Sequence, residues 1–160
     1  MNTTPTLPPD APALIDHILT RYHQVHRQQL PVLLRLAGKV EAVHATHRQL
    51  PRGLTALLHG LRLDLEAHME KEESILFPML ARGGHPFVGQ PISVMRAEHD
   101  EHAERIAQLL ALTHNTTPPP DACATWQQLY AEIRTFVDDL QQHIALENDR
   151  LFPQFVQRGE

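Results

Sequence analysis

A repeated pattern of spaced leucines, histidines and glutamates constrains this sequence more than any other feature. When the chain is shifted by 75 positions, residues 54–78 align with residues 129–153, and His68, Glu72 and a Leu-Phe-Pro triplet align with identical residues. A shift of 76 places residues 19–34 on residues 95–110, with His23 on His99. Self-similarity of this kind indicates a duplicated structural unit. We therefore expect two helical hairpins related by a pseudo-twofold axis.

Prolines and glycines divide the chain into four segments rich in Leu, Ala, Gln, Glu and Arg, which are good helix formers. The predicted helices run from about Ala13 to His47, Arg52 to Arg82, Pro91 to His114, and Asp121 to Gln157. Their connectors are short, so neighbouring helices should be antiparallel. The predicted fold is all-α, an antiparallel four-helix bundle over residues 12–158 that follows a flexible N-terminus at residues 1–11. Pro31 should kink or divide the first helix.

Charge and composition exclude several classes of protein. The net charge of -5 and the lack of a basic cluster give no basis for binding nucleic acid. No segment approaches the ~20 apolar residues of a membrane span, and the first residues do not resemble a secretory signal. A single cysteine, Cys123, is typical of a reducing compartment. We expect a cytoplasmic protein with no membrane or nucleic-acid partner.

Two histidine-glutamate pairs lie on faces that should be buried. The matched leucines of the second and fourth helices are spaced by three or four residues, which keeps them on one stripe facing the core. His68 and Glu72 interrupt one stripe, and His143 and Glu147 interrupt the other. A buried carboxylate costs several kcal/mol unless it is compensated, and no Lys or Arg shares these stripes. A metal cation is the simplest compensation, since residues four apart on a helix point to the same side.

One histidine on each of the other two helices completes a ligand set. Two imidazoles per ion with two bridging carboxylates suit a pair of ions, and nitrogen and oxygen donors without thiolate favour iron or manganese. Such a set leaves open positions for a small molecule. The predicted metal ligands are His23, His68, Glu72, His99, His143 and Glu147.

Other residues near these positions have several possible roles. His26 and His102 follow His23 and His99 by three residues, so they enter an outer shell of the site, relay protons, bind the metal directly or only cap its region. Glu73 should face solvent or a neighbouring helix. His44 lies 21 residues after His23, which corresponds to about 31 Å along a straight helix, so we expect it to lie outside the site.

The ligand pattern and its flanking segments resemble a known family. The hemerythrin-like di-iron domain of the repair of iron centres (RIC) family is similar over residues 14–155, on the segments RYHQVHRQQLP, HMEKEESILFPM, PISVMRAEHDEH and HIALENDRLFP. The resemblance implies a four-helix bundle with two iron ions, bridged by carboxylates and by oxygen in the ferric state. It also implies a cytoplasmic role in nitrosative and oxidative stress.

The sequence departs from this pattern in two places. Family members commonly carry a short N-terminal domain with a Cys-Cys pair, and this chain begins where that domain would end. Iron donation that uses those thiols is therefore not expected. Oxygen-carrying hemerythrins have a second histidine four residues after the one on the third helix, where this chain has Ala103. Reversible oxygen transport is therefore disfavoured.

Two functions remain open from the sequence. The first is a di-iron protein that binds or reduces nitric oxide, with O2 as a further ligand, and protects or repairs iron-sulfur centres. The second is a non-enzymatic sensor of nitric oxide or O2, or an iron-delivery module. Iron-sulfur proteins are candidate partners in the first case.

Overall fold

The computed structural model describes residues 10–156, and its long elements are four helices. The predicted all-α four-helix bundle is confirmed. Three of the helices contain a π-helical turn. The segments are, for α1, Ala11–Ile18, π Leu19–His23 and Gln24–Val43; for α2, Leu54–Lys71, π Glu72–Leu76 and Phe77–Ala81; for α3, Gly89–Leu112; and for α4, Ala124–Leu146, π Glu147–Leu151 and 3-10 Phe152–Gln154.

The ends of the helices differ from the predicted ends by a few residues. The Asp10 carboxylate accepts a hydrogen bond from the Ala13 N–H at 3.3 Å, which caps α1 at its first turn. The first helix ends at Val43 rather than His47, because His44 leaves the helical conformation at φ -109° and ψ 34°. The third helix ends before His114, which has φ 51°. The predicted flexible N-terminus lies largely outside the described residues.

Contacts between the helices show that neighbours run in opposite directions. The Glu41 carboxylate near the end of α1 accepts a 2.6 Å hydrogen bond from the Thr55 N–H at the start of α2. The Arg105 guanidinium late in α3 donates to Asp64 in the middle of α2 at 2.9 Å. No helix within residues 10–156 is long and apolar enough to cross a membrane.

Pro31 does not divide the first helix, so that alternative of the prediction is wrong. The segment Gln24–Val43 is α-helical through the proline. A proline inside a helix lacks the N–H for one hydrogen bond and costs about 3 kcal/mol in isolation. Leu30 and Leu33, which flank Pro31, are buried in the core, and their packing holds the helix across it.

The π-helical turns of α2 and α4 have a physical explanation in the spacing of the buried residues. His68, Glu72 and Leu76 are buried at consecutive steps of four residues. Two such steps on an α-helix rotate the last residue about 80° away from the first. The wider turns Glu72–Leu76 and Glu147–Leu151 absorb this rotation and keep all three residues on the inner face. The two turns start 75 residues apart, in agreement with the sequence repeat.

The core consists of two apolar clusters with a polar layer between them. One cluster includes Leu33, Leu58 and Phe136, and the other includes Ile18, Leu80 and Phe152. Along each helix, the buried histidines and glutamates lie at the boundary between the residues of the two clusters, and they face inward. Apolar residues therefore close the layer at both ends of the bundle.

Candidate metal centre

The structure brings the six predicted ligand residues together from all four helices. His23 and Glu72 are fully buried, and the exposed fraction of the others is at most 2%. Their ligand atoms form two groups, and within each group the atoms lie within 4.8 Å of one another. Both groups contain Glu72 and Glu147. The first group adds His23 and His143, and the second adds His68 and His99.

The two shared glutamates lie between the two pairs of histidines. His23 Nε2 lies 3.1 Å from Glu72 Oε1, and His143 Nε2 lies 2.8 Å from Glu147 Oε2. On the other side, His99 Nε2 lies 2.9 Å from Glu147 Oε1. Each glutamate thus faces both histidine pairs, which is the arrangement needed to bridge two cations.

Several buried inner atoms of the cluster make no well-directed hydrogen bond, although His99 Nε2 and Glu147 Oε1 lie within ion-pair distance of each other. They are His68 Nε2, Glu72 Oε2, His99 Nε2 and Glu147 Oε1. Leaving such atoms unpaired costs about 1–3 kcal/mol each, and more for charged groups. Bound cations would satisfy all four atoms, and imidazole with carboxylate donors suits iron. The residues present therefore fit a cation pair on their own chemistry.

The outer nitrogens of three ligand histidines face oxygen atoms. Nδ1 of His23 donates to Glu73 at 2.7 Å, and Nδ1 of His68 donates to Glu98 at 2.9 Å. Nδ1 of His99 donates to the side-chain oxygen of Asn148 at 2.8 Å. Because these oxygens accept and cannot donate, each Nδ1 carries a proton, and each Nε2 is the nitrogen that can bind a cation once any proton on it is displaced. This is the usual support for a metal-binding histidine.

Sequence reasoning missed most of these outer partners. Glu73 was expected to face solvent or a neighbouring helix, and it contacts His23 and Arg27 of α1. The shift of 75 places Glu73 on Asn148, so the repeat contained a signal for both. Glu98 had no such signal, because the equivalent position of the first helix is Tyr22.

The electrostatics of the cluster favour a cation. Burial, and then the neighbouring Glu147, raise the pKa of Glu72 well above its usual value. Burial lowers the pKa of His68, but the nearby carboxylates of Glu147 and Glu72 outweigh it and raise that pKa to about 11. In the metal-free protein, protons thus hold the positions that cations would hold. Metal binding must displace these protons, so it should weaken at low pH.

His26 and His102 are buried beside the cluster but outside both ligand groups. His26 Nε2 lies 3.0 Å from Nδ1 of His143. The ring of His102 meets the ring of His68 edge-on, with 4.9 Å between centroids. Among the roles predicted from the sequence, His26 has that of an outer-shell residue, because it hydrogen-bonds to the predicted ligand His143.

Comparison with known families agrees with this geometry. The model of the hemerythrin HHE cation binding domain matches residues 14–155. The chain belongs to the hemerythrin family. The matched range is the one over which the sequence resembled the hemerythrin-like domain of the RIC family, and that resemblance is confirmed.

Close relatives of this hemerythrin domain carry a functional name. Proteins named iron-sulfur cluster repair protein YtfE from Salmonella paratyphi B (strain ATCC BAA-1250 / SPB7), Salmonella newport (strain SL254) and Salmonella heidelberg (strain SL476) are each 51% identical to it over 140 residues. The match covers 88% of this chain and 64% of each relative. The chain thus spans less than two thirds of the length of these relatives.

His44 lies at one end of the bundle, away from the cluster. It follows the last residue of α1, and its Nε2 lies 3.2 Å from the thiol sulfur of Cys123, which is exposed. Its ring lies 5.1 Å from that of Trp126. Since α1 continues through Pro31, the separation of about 31 Å from His23 along the helix applies.

We expect His44→Ala to leave the metal content of the hemerythrin domain unchanged, whereas His23→Ala should lose one or both ions. The reason is that His44 contacts Cys123 and Trp126, while His23 belongs to a ligand group. Iron content and the ferric absorption spectrum of both variants measure the difference. Equal loss of iron from the two variants would contradict this placement.

The metal-free hemerythrin domain should be most stable near pH 6.5. Burial, followed by nearby imidazoles, lowers the pKa of His23 to about 4 and those of His26 and His102 to about 3, below the ordinary 6.5. The unfolded chain binds these protons first, so stability falls as the pH drops below 6.5. His68 has the opposite sign, because its raised pKa gives stability that is present below 6.5 and lost as the pH rises toward 11.

Thermal melting of the chelator-treated protein from about pH 5 to about pH 9 measures this dependence. The raised pKa of Glu72 steepens the alkaline side, whereas the stability that Glu147 gives through its lowered pKa is lost mainly below its ordinary value of 4.5. His68→Leu should flatten the alkaline side. A melting temperature that rises steadily over the whole range would show that these imidazoles do not set the dependence.

Proposed function

We propose that this chain is a di-iron protein of the nitrosative and oxidative stress response. In this proposal it binds or reduces nitric oxide and protects or repairs iron-sulfur centres. The observation that carries it is the pair of four-residue groups that share Glu72 and Glu147. The family supports the cation, and the name of the YtfE relatives supports the link to iron-sulfur repair.

The proposed cofactor is two iron ions per chain, bridged by both glutamates and by oxygen in the ferric state. His23 and His143 would hold one ion, and His68 and His99 would hold the other. Four protein ligands per ion leave positions open for a small ligand. Two ferrous ions supply two electrons, which with two protons is what the reduction of two nitric oxide molecules to nitrous oxide and water requires.

The walls of the cluster favour a small neutral ligand. The ring of Phe77 stacks on His23 with 5.6 Å between centroids, and Phe152 stacks on His99 at 6.0 Å. Phe77 and Phe152 are buried within the apolar cluster at one end of the layer. An ionic substrate would lose its hydration there without replacement, whereas nitric oxide or O2 would lose very little. These rings also exclude water from the cluster.

Metal analysis is the first test of the proposal. Protein from iron-replete expression should contain two iron atoms per chain. Stoichiometric zinc without iron would contradict the proposed cofactor. The Glu147→Leu variant is the control, because it lacks one of the two shared ligands.

The second test addresses the reaction. Ferrous protein mixed with nitric oxide in a single turnover should yield about one nitrous oxide per two ferrous ions. Formation of a stable nitrosyl adduct without nitrous oxide would favour a sensor instead. Release of iron without either product would favour iron delivery.

A further inference from the structure

A chain of hydrogen bonds leads from His143 to the surface between α1 and α4. His143 Nδ1 lies 3.0 Å from His26 Nε2, and His26 Nδ1 lies 3.2 Å from the side-chain oxygen of Gln29. The Gln29 amide donates to Asp139 Oδ2 at 2.9 Å. This series of hydrogen bonds ends where Arg21 donates to Asp139 Oδ1, also at 2.9 Å.

The direction of these hydrogen bonds follows from the outer end. Asp139 paired with Arg21 is a carboxylate that only accepts, so the NH2 group of Gln29 must face it and the Gln29 oxygen must face His26. His26 Nδ1 therefore carries the proton of a neutral ring, and His26 Nε2 is an acceptor. His143 Nδ1 must then donate. The opposite direction would place a proton on His143 Nε2, the atom that faces Glu147.

We propose that His26, Gln29 and Asp139 are positioning residues for His143. They hold its proton on Nδ1, so that Nε2 keeps the lone pair with which it would bind the ion shared with His23. This inference rests on the proposed function only in assuming that the cluster binds metal. It adds three residues, all outside the ligand groups, that determine how one ligand binds.

Packing around His143 and His26 prevents water from replacing the hydrogen bond between them. The ring of Tyr22 stacks on His143 with 5.3 Å between centroids and 14° between planes. The ring of Phe136 meets His26 edge-on at 5.5 Å. His26 is fully buried and His143 is 1% exposed. A lost hydrogen bond between the two rings would thus leave His143 Nδ1 unpaired.

The other half of the molecule provides an internal control. The repeat places His102, Arg105 and Asp64 at the positions of His26, Gln29 and Asp139. The corresponding series of hydrogen bonds does not form between these three residues, because Arg105 donates directly to Asp64 and Nδ1 of His102 is buried without a partner. Nδ1 of the ligand histidine in that half, His68, donates to Glu98 instead.

Iron release from the loaded protein to a ferrous chelator tests the proposal. His26→Leu should release one of the two ions about 10–100-fold faster, the usual effect of losing an outer partner of a ligand histidine. His26→Gln should restore release to within a few-fold, because an amide can accept from His143 and donate to Gln29. His102→Leu, the matched control with similar burial, should release iron at the rate of the unchanged protein.

The tautomer of His143 provides a readout that a merely structural role would not move. In the zinc-loaded protein, long-range 1H–15N correlation should show a protected proton on Nδ1 of His143. Gln29→Met should weaken the hydrogen bond that protects this proton and speed its exchange, because His26 then lacks the acceptor that keeps its own proton on Nδ1. Gln29 is only half-buried, so the fold should not change. Arg105→Met, at the equivalent position of α3, should leave it protected. Melting of each metal-free variant checks that the bundle is folded.

Several outcomes would overturn the proposal. They are unchanged iron release in His26→Leu, no rescue by His26→Gln, an equal effect of His102→Leu, or an unchanged Nδ1 proton in Gln29→Met. If His26→Leu does not fold, Gln29→Met alone decides. Failure of the unchanged protein to bind iron would contradict the proposed function instead, and the zinc-loaded measurement would still test the positioning of His143.

Discussion

Replacing Glu147 by Leu is expected to remove iron from both positions of the cluster. Glu147 belongs to both ligand groups, with one oxygen 2.8 Å from His143 Nε2 and the other 2.9 Å from His99 Nε2. A histidine such as His99 belongs to one group only. We therefore expect Glu147→Leu to lose iron from both positions and His99→Ala to lose it mainly from one.

The same substitution should destabilise the metal-free protein at neutral pH. Burial raises the pKa of Glu147, but the neighbouring His143 and hydrogen bonds from the ligand histidines outweigh it and lower that pKa well below its usual value, so the carboxylate stabilises the folded state. Removing one partner of a buried ionic group commonly costs about 3–5 kcal/mol of the free energy of unfolding. Iron content and melting of the metal-free variant should be measured together.

Two further variants make this test specific. Glu72→Leu occupies the equivalent position of the repeat and should lose iron as Glu147→Leu does. Glu70→Leu, on an exposed position of the same helix as Glu72, should keep its iron. Normal iron content in either Glu147→Leu or Glu72→Leu would show that the two groups do not share that glutamate as a ligand.

Chelation of the metal should lower the melting temperature by about 8–16 °C. Without cations, Glu72 and Glu147 remain buried at 0% exposure beside inner nitrogens that make no well-directed hydrogen bond. A ligand present at about 1,000 times its Kd stabilises the folded state by about 4 kcal/mol. For a domain of this size each kcal/mol corresponds to about 2–4 °C.

Differential scanning calorimetry before and after chelation measures this shift. Re-addition of ferrous iron should restore the original melting temperature. Glu147→Leu should show almost no shift in melting temperature, because it lacks one of the two glutamates that both ligand groups share. An equal melting temperature with and without metal would mean that the cluster is stable on protons alone.

The sequence by itself determined the helices and the inward face of each. Both follow from local periodicity, and the shifts of 75 and 76 repeat that periodicity in each half. The positions of His68, Glu72 and their repeats followed because polar residues on a leucine stripe are costly unless something pairs with them. Even the π-helical turns had a signal, since consecutive steps of four residues drift on an α-helix.

The tertiary structure decided which side chains pair across the helices. Periodicity indicates the face of a helix, but the partner of an atom depends on the axial offset and rotation of the neighbouring helix, which differ by a few ångströms between alternatives. His26 and His102 share a face and a repeat position, yet of the two only His26 hydrogen-bonds to a ligand histidine, whereas His102 meets His68 edge-on. Pro31 likewise remains within a helix because Leu30 and Leu33 pack against other helices. These outcomes depend on contacts between distant segments, which no local pattern in the chain encodes.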